Sequence, residues 1–195
     1  MSDASTAVLA FGSAIVGAVL HGTYQHLRDW YGRPRLQIDY EGKDGANKVD
    51  VDYHSGEKHV AEVYIRARIQ NLGKRPAKNC LVFLTALTEV HQSGTTPTSF
   101  YDATPVAWPG WKFSPKDIPR GIPFYVDIMK VSKHTSGWLI SVEHLYASHE
   151  KLKNYSGTYR FQLTATADNA APVTYEIDVT YNQNWNNLRA VAHIG

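Results

Sequence analysis

Cysteine is nearly missing from this chain. Cys80 is the one thiol in 195 residues, which rules out an intramolecular disulfide and any zinc site built from several cysteines. Such usage suits a reducing compartment. A surplus of charge is missing as well: 20 basic residues stand against 18 acidic ones, a formal net charge of +2, so no overall field makes nucleic acid the default partner. There is no glycine loop of the Walker or dinucleotide kind and no G-x-S-x-G elbow, and without them phosphate cradling and serine hydrolysis lose their usual signatures. Long helical runs of Ala, Leu, Glu and Lys are lacking, and no β-α-β alternation is visible. Tyrosine, tryptophan and β-branched residues are plentiful instead, which tilts the body towards antiparallel β structure. The absences leave a binding or structural domain as the expectation, with no enzyme and no cofactor implied.

The chain opens with "STAVLAFGSAIVGAVLHGTYQHLRDWYGRPR". A secretory signal begins with positive charge, whereas "MSDAS" carries Asp3 and no Lys or Arg. The run from Ala4 to Leu20 would be about 26 Å long as a helix at about 1.5 Å per residue, slightly short of a hydrocarbon core of about 30 Å. Extension to Tyr24 makes a span. Arg28, Arg33 and Arg35 all lie on its C-terminal side, and Tyr24, Trp30 and Tyr31 fall where an interfacial aromatic belt would. The positive-inside rule then places the body in the cytoplasm of an inner membrane. Ala10, Ala14 and Ala18, with Ser13 and Gly17 beside them, form a small-residue stripe suited to close helix approach and self-association. A soluble helix docked on a partner is the other reading. Either helix is expected to stop near Gly32, because Arg33 precedes Pro34 and the residue before proline is pushed out of the helical region. The expected units are therefore a transmembrane or docking helix over 1–32 and one domain over 33–195.

From Arg35 the period falls to two. "RLQIDYE", "VAEVYIRARIQN", "CLVFLTALTEV", "IPFYVDIMKV", "GWLISVE", "GTYRFQLTATA" and "VTYEIDVTYN" read as strands separated by Gly, Pro, Asn and Ser turns. In the second of them Val63, Ile65, Ala67 and Ile69 should face inward and Tyr64, Arg66, Arg68 and Gln70 outward. The last two strands form a hairpin joined by "DNAAP". This is the pattern of a mainly β, antiparallel two-sheet sandwich preceded by one α-helix.

A family resemblance lies in "VYIRARIQNLGKRPAKNCLVFLTAL". Strand, then Asn71, Gly73, Pro76, Ala77 and Asn79, then a second apolar strand resembles the segment V-x-N-x-G-x-x-x-A-x-N-V of bacterial immunoglobulin-like, CARDB-like domains. The closing hairpin is similar to the last two strands of such sandwiches. Together with the anchor and a W-x-x-L ending at Trp185 and Leu188, the layout resembles small bacterial membrane proteins. The resemblance implies an immunoglobulin-like fold used for binding and spacing, and carries over no catalytic residue.

Several constellations deserve a chemical reading. His21 and His26, like His144 and His149, are five apart, whereas two ligands on one helix face need three or four, so no metal is expected. Asp50 and Asp52 would point the same way from a strand and, with Glu57, could hold a hard cation; an acidic solvent-facing loop is the simpler reading. His134, Ser136 and Ser141 are near in sequence, yet nothing positions a base. Cys80, at the start of an apolar strand, is expected to be buried and inert. Lys74, Arg75 and Lys78 follow a strand whose outer face shows Arg66 and Arg68; the five could form a patch for anionic headgroups or a phosphate-bearing ligand, or pair locally with Glu62 or Glu89. Phe100, Tyr101, Trp108, Trp111 and Phe113 share a loop with Pro105, Pro109 and Pro115, either an aromatic contact surface or a lid over the core. The expected protein is a single-pass, membrane-anchored binding module, self-associating through its helix. Its expected partners are the lipid bilayer and a protein or an anionic ligand. A ligand-gated, membrane-perturbing effector and a soluble structural subunit are the alternatives.

Overall fold

The computed structural model describes residues 23–24, 31–42, 46–55, 58–98, 100, 102–134, 138–143 and 156–193. The apolar run 4–20 with Ala10, Ser13, Ala14, Gly17 and Ala18 lies outside the described residues, as do Glu57, Tyr101, Ser136, His144 and His149. Among the described residues no helix is long and apolar enough to cross a membrane. Helical backbone at Tyr31 and Gly32 ends before Arg33 and Pro34.

In chain order the strands are β1 (Leu36–Asp39), β2 (Lys48–Ser55), β3 (Lys58–Asn71), β4 (Ala77–His91), β5 (Gly94–Pro97), β6 (Thr104–Pro105), β7 (Lys116–Ile118), β8 (Phe124–Ser132), β9 (Trp138–Ile140), β10 (Gly157–Ala167), β11 (Ala170–Tyr181) and β12 (Arg189–Ala192). They form two antiparallel sheets. One runs β1-β3-β8-β9, with β2 pairing β3 beyond β1; the other runs β12-β11-β10-β4, with β5, β6 and β7 in turn along the far edge of β4. All seven strands read from the alternation are present. "KVDVDYHS" is a correction: it is strand β2, paired along β3 from Lys48 opposite Ile65 to Ser55 opposite Lys58, and not a loop. Val49, Val51 and Tyr53 stand opposite Tyr64, Glu62 and Val60 on one face, and the unbroken ladder of eight residue pairs holds the strand to β3. The final connection is also tighter than "DNAAP". Ala167 already faces Ala170, so the turn is Asp168-Asn169 alone.

The facing sides of the two sheets share one hydrophobic cluster. Val63, Ile65, Ala67 and Ile69 of β3 all enter it, as the alternation requires, and Leu84, Leu87, Phe161, Leu163, Ile177 and Val179 come from the other sheet. Trp138 of β9 packs across the layer against Tyr159 at 5.2 Å and Phe161 at 6.3 Å. Cys80 is fully buried, and burial pushes its thiol up to about 12. The segment 104–118 closes one side: Thr104-Pro105 pair with β4, Ala107 pairs with Asp127 of β8, and Lys116–Ile118 return to β4. The opposite side is closed by a single 3-10 turn, Trp185–Asn187, which drops Leu188 into the core.

The turn between β3 and β4 explains the motif read there. The buried Asn71 carboxamide joins four backbone groups. Its Oδ1 accepts from Arg35 N–H at 3.0 Å and Gly73 N–H at 2.9 Å, and its Nδ2 donates to the carbonyls of Arg75 at 2.7 Å and Ile118 at 3.1 Å. Gly73 is required by space: a Cβ there would lie 2.3 Å from the Arg33 carbonyl oxygen and 2.5 Å from the Arg35 nitrogen. Asn79 sits at φ 50° and reaches Asp168 at 2.6 Å, a left-handed conformation that Asn tolerates better than most residues. One side chain thus ties the start of the body, the β3–β4 turn and β7 together.

Candidate functional site

The outer face of the β2-β3-β8 sheet holds a concavity of about 680 Å³, within the range of ordinary ligand sites. Its floor comes from strand register. Glu62, Tyr64 and Arg66 of β3 face away from the core and stand opposite Ser132, Lys130 and Asp127 of β8. The last pairing depends on a bulge: Ile65 faces Met129, yet Arg66 faces Asp127, so Ile128 is extra. A bulge re-aims the side chains beside it, and here Asp127 turns outward.

The floor is a closed set of charge-assisted contacts. Lys130 Nζ donates to Glu62 Oε1 at 2.7 Å, and the Tyr64 hydroxyl donates to Glu62 Oε2 at 2.6 Å. Arg66 Nε donates to Asp127 Oδ1 at 2.5 Å. Burial, then the bond to Glu62, pushes the Tyr64 phenol well above its ordinary value. Burial also raises the Asp127 carboxyl, and the Arg66 and Lys130 cations pull it back. The Arg66 guanidinium lies 5.5 Å and the Lys130 ammonium 5.9 Å from the Tyr64 ring centroid.

Two exposed aromatic side chains flank this floor. Tyr53, 48% exposed, rises from β2, and Trp111, 41% exposed, comes from the turn 109–111 beyond the far edge of β8. Trp111 is held at φ 56°, after Gly110 at φ 83°. A bulky residue in that region is an outlier costing roughly 1–3 kcal/mol. Its indole packs edge-on to Phe113 at 6.2 Å and carries the Lys130 ammonium 5.2 Å from its ring centroid. At the end of the groove His59 stacks on His54 at 4.8 Å and meets His134 edge-on at 5.2 Å. His59 Nε2 is 2.5 Å from Asp52 Oδ1, and this bond holds the Asp52 carboxyl below its ordinary range.

The sequence-derived sites divide accordingly. Of the five cations expected to share a patch, Arg66 and Arg68 are half-buried and ion-paired, Arg66 with Asp127 and Arg68 with Asp39 and Glu41. The face expected to be wet is instead covered by salt bridges, because each arginine has an acid on the next strand. Lys78 pairs with Asp117 at 2.5 Å. Lys74 and Arg75 remain exposed at the β3–β4 turn, so the five do not make one field of unpaired positive charge. Asp50 pairs with Lys133 and Asp52 with His59, which leaves neither waiting for a cation. Among the described residues no group of three His, Cys, Asp or Glu could hold a metal ion.

The aromatic cluster separates too. Phe100 and Trp108 belong to the core, Trp108 donating from Nε1 to the Ser114 carbonyl at 3.1 Å; Phe113 is half-buried, and among the described members of the group Trp111 alone stands at the groove. Sequence reasoning missed Tyr53, Glu62, Tyr64, Asp127 and Lys130 as site residues. The one local signal was an acid, Asp127, inside the apolar run "FYVDIMKV".

A different collection of charge gathers at the end of the body where the chain arrives from its N-terminal segment. Leu72 N–H donates to the Arg35 carbonyl at 2.8 Å, Arg75 N–H to the Gly32 carbonyl at 3.1 Å and Gly121 N–H to the Asn71 carbonyl at 3.0 Å. These contacts bring exposed Arg33, Arg35, Lys74, Arg75 and Arg120 to one end. A concavity of about 540 Å³ there is lined by Arg33, Arg75, Asp168 and Asn169.

Comparison of the chain with protein-family models, curated proteins and solved structures finds no match.

Proposed function

We propose that this chain is a membrane-anchored binding module: an immunoglobulin-like sandwich carried by an N-terminal helix that spans the inner membrane and self-associates through its small-residue stripe, with the body on the cytoplasmic side. No catalysis and no cofactor belong to this reading. The immunoglobulin assignment is supported by connectivity. The orders β1-β3-β8 and β4-β10-β11 match A-B-E and C-F-G of that fold, whereas β2 is additional and β9 follows β8 where strand D would precede E.

The observation that carries the reading is the basic end of the body. Arg33, Arg35, Lys74, Arg75 and Arg120 are exposed beside the point where the apolar N-terminal segment joins it. Each Lys or Arg near an anionic leaflet adds about 1 kcal/mol of attraction, so an anchored body would rest with this end on the headgroups and its groove to the side. The test is membrane fractionation with protease protection of the full chain. A carbonate-resistant membrane pool, with the body protected in intact spheroplasts and digested after lysis, is expected. A chain that partitions wholly into the soluble fraction, or a body cut from outside, overturns the reading.

A further inference from the structure

We infer that the groove on the outer face of β2, β3 and β8 binds a neutral, polyhydroxylated ring ligand, a segment of oligosaccharide, with Trp111 as its stacking platform. This rests on the binding-module reading and names its ligand class.

Charge decides the class first. Every ionic group of the floor already has its counter-charge at hydrogen-bond distance, Lys130 with Glu62 and Arg66 with Asp127. A phosphate or carboxylate ligand would bring its charge beside the Glu62 and Asp127 carboxylates, with each cation of the floor already compensated by one of them. A cationic ligand meets the mirror obstacle, since Glu62 and Asp127 already hold Lys130 and Arg66 and a new cation would have to displace one of them. A neutral ligand meets neither obstacle.

Hydrogen-bonding capacity decides the rest. Paired in this way, Glu62 keeps free lone pairs, and Lys130 and Arg66 keep unused N–H donors. Donors and acceptors therefore alternate along the floor, and vicinal hydroxyls, which donate and accept at once, answer that pattern. The flanks supply the complementary apolar contact. The negative faces of Trp111 and Tyr53 suit the C–H side of a pyranose ring. The two aromatics stand on opposite sides of the β2-β3-β8 strip, Tyr53 on β2 and Trp111 in the turn of the segment beyond β8, about three strand spacings of about 4.8 Å away. A proline-rich peptide would also stack on such rings, but it would leave the polar floor without partners. The strained backbone of Trp111 points the same way, because a left-handed tryptophan that still leaves 41% of its surface exposed has a placement that core packing does not require.

The test uses the full chain in a detergent without a sugar headgroup, titrated by tryptophan fluorescence and calorimetry. The probes are the hexaoses of β-1,4-glucose, β-1,4-N-acetylglucosamine, α-1,4-glucose and β-1,4-xylose, with a proline decamer and a sulfated heparin hexaose as competitors for the assignment. At least one neutral hexaose is expected to bind, and Trp111→Ala should weaken it about tenfold. Tyr53→Ala, on a regular strand away from the strained turn, should weaken it as well, while Trp185→Ala and Arg75→Glu should leave it unchanged. Binding of none of the four, binding indifferent to both Trp111→Ala and Tyr53→Ala, or binding of the proline or heparin probe alone overturns the inference. The anchor is scored separately: hexaose binding by a soluble chain would sink only the membrane reading, and a protected membrane protein blind to all four would sink only this one.

Discussion

Replacing Asn71 by alanine is the sharpest test of how this chain holds itself together. The carboxamide makes four hydrogen bonds to backbone groups of Arg35, Gly73, Arg75 and Ile118, and the residue is fully buried. A net hydrogen bond contributes about 1 kcal/mol, and a buried group left without its partner costs about 1–3 kcal/mol. Water can reach some of the freed groups, since Arg35 and Arg75 lie at the surface while Ile118 does not. Asn71→Ala should therefore lose about 3–4 kcal/mol, a large share of the 5–15 kcal/mol typical of a domain. At about 2–4 °C per kcal/mol for a protein of this size, the midpoint should fall by about 6–16 °C.

Urea and thermal unfolding followed by tryptophan fluorescence measure this directly, and Asn71→Asp sharpens it. Aspartate keeps an acceptor for Arg35 and Gly73 but sets a carboxylate oxygen against the carbonyls of Arg75 and Ile118. That carboxyl is easier to protonate in the folded state than in the unfolded one. Its deficit is therefore full at neutral pH and shrinks as the pH falls towards the ordinary carboxylate range. A loss below about 1 kcal/mol for Asn71→Ala, or an Asn71→Asp variant that gains nothing in acid, would refute the stapling argument.

Three further outcomes follow from the same geometry. Gly73→Ala would drive a Cβ into the backbone of residues 33–35; a loss of about 2–3 kcal/mol is expected, with faster tryptic cleavage after Arg35 as that segment lifts away. Ser141 is fully buried and its Oγ has no hydrogen-bond partner, so Ser141→Ala should raise stability by about 1 kcal/mol in urea titration, and a clear loss would contradict it. The Cys80 thiol, pushed up to about 12 from 9.0 by burial, should resist iodoacetamide in the native protein and react fully in denaturant. Because its folded value lies above the unfolded one, its contribution is whole below about pH 9 and is lost as the pH climbs towards 12.

Strands were legible wherever one face is apolar and the other polar, because alternation records which side meets the core. The inward set on β3 followed from period two alone. β2 was harder: Asp50, Asp52 and Tyr53 are all exposed, so its pattern carries little burial signal, and only pairing with β3 makes it a strand. The groove was legible in two residues, Arg66 and Trp111, and even these were assigned to different clusters. Arg66 and Asp127 are 61 residues apart, and Glu62 and Lys130 are 68 apart. No local pattern states that such acids and bases will neutralise one another, so the arginines of β3 look like a wet cationic face until the neighbouring strand is in place. The motif at Asn71 and Gly73 was visible as a pattern, but its cause, four hydrogen bonds and a backbone contact with residues 33–35, lies outside the motif.

The bulge at Asp127–Ile128 joins the fold to the groove. Under strict alternation β8 could bury either Met129 and Val131 or Val126 and Phe124, not both, since adjacent residues face opposite sides. With Ile128 inserted, Met129 and Val131 stand opposite Ile65 and Val63, while Val126 and Phe124 stand opposite Ala67 and Ile69, so the core fills along the whole strand. The same insertion leaves Asp127 on the outer face against Arg66. Asp127 N–H donates to the Ala107 carbonyl at 2.8 Å, the contact that holds the segment leading into the Trp111 turn. Core parity, the ion pair of the floor and the aromatic wall therefore depend on one extra residue. A regular strand would have to give up part of the core or turn a charge inward, and it would lose the groove in either case.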